Sequence, residues 1–184
     1  MTDSAKDRLL ADVMDYVTAH GFAGFSLRSV ATEIGTSHRM LIHHFGSKAG
    51  LESAVVGEAT RLLTQPFVAL AEQDAAGSVT LHELWKALSA PELEPLVRLY
   101  FDLLNRAIHN DTEAQEAVHR IRDHWKETAE SLMPSNNPEA KVAAAISATF
   151  MRGLLLDHLT GTGLEESDLL LSRFGGEPPA PRER

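Results

Sequence analysis

Serines and glycines alternate along the first fifty residues at intervals that fit short helices. Ser4 precedes Leu9, Val13, Met14 and Val17, and that run stops at His20-Gly21. Ser26 precedes Leu27, Val30, Ala31 and Ile34, which stand at i, i+3, i+4 and i+7, and Gly35 follows. Ser37 opens a shorter run with Leu41 and Phe45 on one face, closed by Gly46. Ser47 opens the next, which carries Leu51, Ala54, Val55, Leu62 and Leu63. A serine hydroxyl satisfies the free amides at a helix start, and Ser4 with Asp7 has the spacing of a capping box. Glycine ends a helix by taking left-handed backbone. A chain so punctuated is expected to form helices over about 5–20, 27–34 and 38–44, with a fourth from residue 48. Pro66 sits too deep for the first turn of that fourth helix, which predicts a kink or a break there.

Helical periodicity continues to the end of the chain, without the alternation of β-strands and without an internal repeat. Residues 73–80, "QDAAGSVT", read as a loop. Further helices are expected at about 80–89, 91–109, 112–132, 138–160 and 164–174. Pro91, "HNDT", "MPSNNP" and "TGTG" separate them. The expected fold is all-α, with an N-terminal three-helix, helix-turn-helix unit at residues 1–48 and a larger helical domain at 49–174. Helix four, at about 48–72, connects them. The segment 175–184, "GGEPPAPRER", is expected to be a flexible tail.

The 184 residues, 43% of them hydrophobic, suffice for a substantial core. No stretch of about 18 uncharged apolar residues is present, so no membrane partner is expected. The first residues mix charged with apolar side chains instead of forming an apolar block, so a cytoplasmic location is the default expectation. Zero cysteines exclude disulfides, thiolate nucleophiles and cysteine-ligated zinc. The net charge of −9 argues against a surface that coats nucleic acid throughout. It is unevenly spread, however: residues 26–50 hold Arg28, Arg39 and Lys48 against Glu33 alone. An acidic body with one local anion-binding surface fits that distribution.

Within that basic window, "GTSHRMLIHHFGSK" at 35–48 carries three histidines. On a helix advancing about 100° per residue, His43 lies some 140° from His38, and His44 some 240°. No pair has the i, i+4 spacing that places two imidazoles on one metal, so no metal is expected. Catalysis needs a nucleophile or base with a group to orient it. Ser37 and Ser47 are explained more simply as caps, and no nucleotide-binding or hydrolase motif occurs. No catalytic residue and no cofactor are expected. A polar helix face that merely carries several histidines is the alternative.

The surroundings of the stretch favour another use. Two short helices joined by "GTS" make a helix-turn-helix. Helix one braces the pair by burying Val13 and Val17 against Leu27, Ala31, Leu41 and Phe45. With Leu41 and Phe45 turned inward, Thr36, Ser37, His38, Arg39, Ile42 and His43 face outward. Such groups on a short helix fit the major groove of duplex DNA. The amides following Ser26 and Ser47 can meet phosphates, with Arg28 and Lys48 beside them.

Residues 21–55, "GFAGFSLRSVATEIGTSHRMLIHHFGSKAGLESAV", resemble the DNA-binding domain of the TetR/AcrR family of bacterial regulators. The matching positions are Gly21, Phe22, Ser26, Val30, Ala31, Gly35, Ser37, Leu41, His44, Phe45, Ser47, Lys48 and Leu51. The resemblance spans roughly residues 5–58. Ile42 stands where the family often has tyrosine, His43 where an aromatic is common, and Gly50 where an acidic residue is frequent. Ile42 keeps an apolar contact, and His43 can replace a phosphate hydrogen bond, more strongly when protonated.

The resemblance implies a homodimeric regulator, a repressor released by a small-molecule effector, on a palindromic duplex operator. It implies that the last two helices pair with their equals in a second subunit. Ile146, Phe150, Leu154, Leu155, Leu169 and Leu170 are the candidates for that contact. A core helix in a monomer is the alternative. Candidate effector contacts are Trp85, Tyr100, Phe101, Leu104, His119, Trp125, Phe150 and Met151, each equally explicable as core. Two functions compete with this one: an all-α metabolite-binding protein or enzyme without a DNA target, and a helical scaffold for a partner.

Overall fold

The computed structural model describes residues 4–22, 24–73, 79–131, 138–162, 169–171 and 173. Eight helices are defined within them: α1 (Ala5–His20), α2 (Leu27–Glu33), α3 (His38–Phe45), α4 (Lys48–Gln73), α5 (Leu81–Leu88), α6 (Glu94–Ile108), α7 (Thr112–Ser131) and α8 (Pro138–Thr160). Residues 169–171 and 173 are helical too, and no strand occurs among the described residues. Most of the 73–80 loop, the rest of the 164–174 segment and the tail lie outside the described residues. Two expectations change in detail. The helix placed from residue 91 begins at Glu94, because Pro91–Leu93 form a turn in which the Leu93 amide donates to the Ala90 carbonyl at 2.9 Å. The expected disruption at Pro66 is not a break, since α4 continues through it.

The chain divides into two compact units, one of Met1–Leu62 with Pro95–Arg122, the other of Leu63–Glu94 with Asp123–Arg184. The first contains α1–α3, and the serine caps work as their spacing requires. The Asp7 amide donates to Ser4 Oγ at 3.2 Å and the Ser4 amide to Asp7 Oδ2 at 3.1 Å. Ser26 and Ser29 form the same reciprocal box on α2, with serine in place of the usual glutamate. The Met40 amide donates to Ser37 Oγ at 3.1 Å, and the Gly50 amide to Ser47 Oγ at 2.9 Å. Between α2 and α3 the chain reverses at Gly35, whose φ of 67° is left-handed. There the Thr36 amide reaches the Ala31 carbonyl at 2.9 Å and the Gly35 amide the Thr32 carbonyl at 3.4 Å, a Schellman closure.

Val13, Val17, Val30, Leu41, Leu51 and Val55 are fully enclosed, and Ala31 and Phe45 nearly so. Each valine or leucine buried in this way contributes about 1.5–3 kcal/mol. Leu27, expected in the same core, is only half-buried at the start of α2. This unit extends well past residue 48. The Phe22 amide donates to Asp102 Oδ2 of α6 at 3.0 Å. One turn further along α6, the Arg106 guanidinium sits 5.1 Å from the centre of the Phe22 ring. Arg106 also pairs with Asp111 at 2.7 Å, and Asp111 caps α7 by accepting from the Ala114 amide at 3.0 Å.

In the second unit α5 packs on α8. α5 buries Leu84 and Leu88, and α8 buries Met151, Leu154 and Leu155. The Trp85 and His158 rings meet edge-on at 5.5 Å, and those of Phe67 and Trp125 at 4.7 Å. Thr64, buried on α4, lies 3.3 Å from His124 Nε2.

Candidate DNA-binding face and subunit interface

Leu41 and Phe45 set the orientation of α3. At about 100° per residue the direction away from them falls on His43, with Arg39 and Met40 to either side. The observed exposure follows: Ser37, His38, Arg39, Met40 and His43 are exposed, while Ile42 and His44, at the flanks, are half-buried. Thr36 and Ser26 are half-buried, Thr36 in the turn and Ser26 in its capping box. Arg28 is exposed on α2. Arg28 and Arg39 have no carboxylate partner among the described residues. Lys48 differs, because its Nζ stands 3.6 Å from Glu52. The His43 and His44 rings lie edge to face, 5.0 Å between centres.

Met40, 44% exposed, is absent from the sequence-based set of outward residues. The angular argument that placed Arg39 and His43 places Met40 on the same face. It adds a flexible apolar contact beside the cation. Such a face offers a fixed positive charge, imidazole nitrogens, hydroxyls and two apolar groups, the inventory used to read base edges and phosphates.

Gly50 has a steric reason to be glycine. A Cβ there would collide with the Phe45 carbonyl oxygen, at the last residue of α3. No acidic side chain fits at this position with the backbone as it stands.

The second unit carries a face of opposite character. Val142, Ala145, Ile146, Thr149, Gly153 and Leu156 are all exposed on α8 and recur at i, i+3, i+4, i+7, i+11 and i+14. They form one apolar stripe along the helix. Ile146 and Leu169 are exposed at 63% and 62%, and Phe150 and Leu170 are half-buried. Leu154 and Leu155 are enclosed within the unit, on the far side of α8, which leaves Leu156 to extend the stripe.

The candidate effector residues divide between the units. Tyr100, Phe101, Leu104 and His119 belong to the first, and Trp85, Trp125, Phe150 and Met151 to the second. Tyr100 and Phe101 pack edge to face at 5.6 Å, His119 is exposed and Met151 is buried. The first unit's cavity, about 190 Å³, is lined instead by residues such as Glu52, Arg106 and Glu113, and by none of those four. Sequence reasoning missed this cavity, because its three helices contribute residues up to about seventy positions apart.

Residues 15–55 match the family model described as "Bacterial regulatory proteins, tetR family". The chain is similar to the solved structure of a TetR transcriptional regulator from Legionella pneumophila, with 20% identity and a TM-score of 0.68 over 96% of this chain and 100% of that one. It is also similar to a putative TetR-family regulator from Rhodococcus sp., at 17% identity and a TM-score of 0.66, covering 85% and 87% of the two chains. A third similar structure, the multidrug binding protein EbrR complexed with imidazole, has 17% identity and a TM-score of 0.66, with 96% and 98% coverage. No curated protein matches the sequence. At these identities the structural likeness is one of fold: residues 15–55 are similar to the N-terminal domain of the tetR family, and the chain as a whole has the fold of solved TetR-family transcriptional regulators.

Proposed function

We propose that the chain is a ligand-responsive repressor that binds a palindromic DNA operator as a homodimer. The face of α3 carries this proposal. Arg39 is exposed there beside His38, Met40 and His43, and no carboxylate among the described residues neutralises it. In this reading Arg39, His38 and His43 reach base edges or their flanks, Ile42 and Met40 meet thymine methyls, and Thr36, Ser37 and His44 line the groove. Ser26, Arg28 and Lys48 meet phosphates at the starts of α2 and α4.

The apolar stripe on α8 supports the dimer. A row including Val142, Ile146 and Leu156 left in water is the kind of surface that marks a protein interface. An isologous pairing of such faces gives the two-fold symmetry that a palindromic operator mirrors. Leu169 and Leu170 extend the contact. The effector is the least constrained part. A small organic molecule is the natural class, and EbrR, to which the chain is similar in fold, is a multidrug binding protein. Trp85, Trp125, Phe150, Met151, Tyr100, Phe101, Leu104 and His119 are the contacts proposed for it. Ligand acts by favouring one conformer of α4, which runs unbroken from Lys48 to Gln73. A typical coupling of about 1–3 kcal/mol changes DNA affinity roughly 5- to 150-fold.

Selection of bound fragments from genomic DNA, followed by fluorescence anisotropy on the enriched duplex, tests the assignment. The expected result is saturable binding by a dimer that weakens steeply as salt rises. A folded protein that binds no duplex at low salt would overturn the DNA-binding role and favour a metabolite-binding protein.

A further inference from the structure

The first unit's cavity of about 190 Å³ lies among the first half of α4, the end of α6 and the start of α7. Glu52, Arg106, Glu113, Glu116 and Arg120 line it. Glu52 is 7% exposed, and its Oε1 has no hydrogen-bond partner among the described residues. The nearest cations are poorly placed to supply one. Lys48 Nζ stands 3.6 Å from Oε1, and Arg106 Nη2 stands 3.7 Å from Oε2. Both distances exceed those of a good hydrogen bond. Arg106 spends its short contacts on Asp111, at 2.7 and 2.8 Å, and Arg120 leans toward Glu116 at 3.9 Å.

Glu52, Glu113 and Glu116 thus share the cavity lining with Arg106 and Arg120, while Lys48 and Asp111 stand beside it as ion-pair partners of Glu52 and Arg106. A buried carboxylate short of partners is costly until it gains a proton or a cation. Burial pushes the Glu52 carboxyl above the ordinary range, and a hydrogen bond with Glu113 pushes it the same way, against the pull of Arg106 and Lys48. The uncharged form of Glu52 is therefore favoured more than in an exposed glutamate. No group of three metal-ligating side chains exists among the described residues, which points away from a metal ion. Phe22, Val56 and Leu103 give the cavity an apolar wall.

We infer that this cavity binds a small organic cation, an alkylammonium or alkylguanidinium, whose N–H groups donate to Glu52 and Glu113 while its short alkyl chain lies against the apolar wall. A bound cation favours the ionised form of Glu52, so affinity rises with pH through the range in which Glu52 ionises and then levels off. The site requires neither DNA nor the aromatic residues proposed for the effector.

Calorimetric titration of the full chain with n-butylammonium and with methylguanidinium, each against n-butanol as a neutral control, tests it. Saturable one-to-one binding of at least one cation is expected, with a dissociation constant on the order of 1 mM. No saturable binding of n-butanol is expected. Glu52→Gln should weaken the cation about tenfold or more, a loss typical of a charge-assisted contact. Glu113→Gln, at an exposed position that tolerates substitution, should weaken it several-fold, which covers the case in which Glu52→Gln fails to fold. Proton release on binding should show as a dependence of the measured heat on the buffer's ionisation enthalpy. Absence of saturable binding by both cations, equal binding of n-butanol, or full affinity in Glu113→Gln and a folded Glu52→Gln would overturn the inference.

Discussion

α3 and α8 each leave one face uncovered, and the two faces are chemical opposites. On α3 the uncovered groups are His38, Arg39, Met40 and His43 around a single inward pair, Leu41 and Phe45. On α8 they are Val142, Ala145, Ile146, Thr149, Gly153 and Leu156, with Met151, Leu154 and Leu155 turned inward. Water solvates the first face at no cost. The second loses free energy in water at about 25 cal/mol for each Å² left open. Exposure alone therefore has different meanings in the two places. The polar face is poised for an anion it can leave again, whereas the apolar face demands a lasting cover.

Ile146→Arg breaks the comparison most severely. Ile146 is exposed, so the protomer should fold, but an arginine buried against a second α8 has no partner. Dimer dissociation should rise by about 100-fold or more, read by sedimentation. An unchanged dimer would show that the stripe is not the interface. Arg39→Ala acts on the other face. It should cost about 1–3 kcal/mol on the preferred duplex and relax preference at one base position, read by anisotropy on a set of single-base variants. An unchanged preference order would remove Arg39 from base reading.

A smaller effect tests the scaffold behind the polar face. Asp111→Ala removes the cap of α7 and the partner of Arg106, at about 1 kcal/mol, or roughly 2–4 °C in melting temperature. The Ala114 amide, and after it the Arg106 guanidinium, hold the Asp111 carboxyl below its usual range. Its contribution is thus complete above the ordinary carboxylate value of about 4 and lost as the pH falls below that. The melting difference between wild type and Asp111→Ala should shrink in acid; a difference that grows would reject the assignment. Smallest of all, Lys48→Ala should weaken every duplex by a similar few-fold factor and lower the salt slope by about 1. Its ammonium is already shared with Glu52, which limits what DNA can gain from it. A sequence-dependent loss would move Lys48 to the base-reading group.

The sequence was most legible where structure is local. Caps at Ser4, Ser26, Ser37 and Ser47 and the glycine stops all act within five residues, so spacing alone located α1–α3. The inward Leu41 and Phe45 likewise follow from one helical period. Contacts between distant segments left no such trace. Nothing near Phe22 announces Asp102, eighty positions away, or the arginine one turn beyond it. Nothing in the sequence of α8 separates enclosed Leu154 and Leu155 from open Leu156, because the position of the helix's neighbours decides it. Glu52 reads in sequence as an ordinary i, i+4 partner for Lys48, and α6 and α7 are what enclose it.

The closeness of Gly50 to the Phe45 carbonyl has a mechanical consequence. Where the end of α3 meets the start of α4 there is no room for even a methyl group. A side chain at position 50 would have to move the end of α3, the start of α4, or both. This crowding also limits transplantation. A segment borrowed through the start of α4, from a relative with an acidic residue at this place, would bring a side chain that forces the two helices apart. Its grip on DNA would then differ from the donor's, even with every groove-facing residue copied.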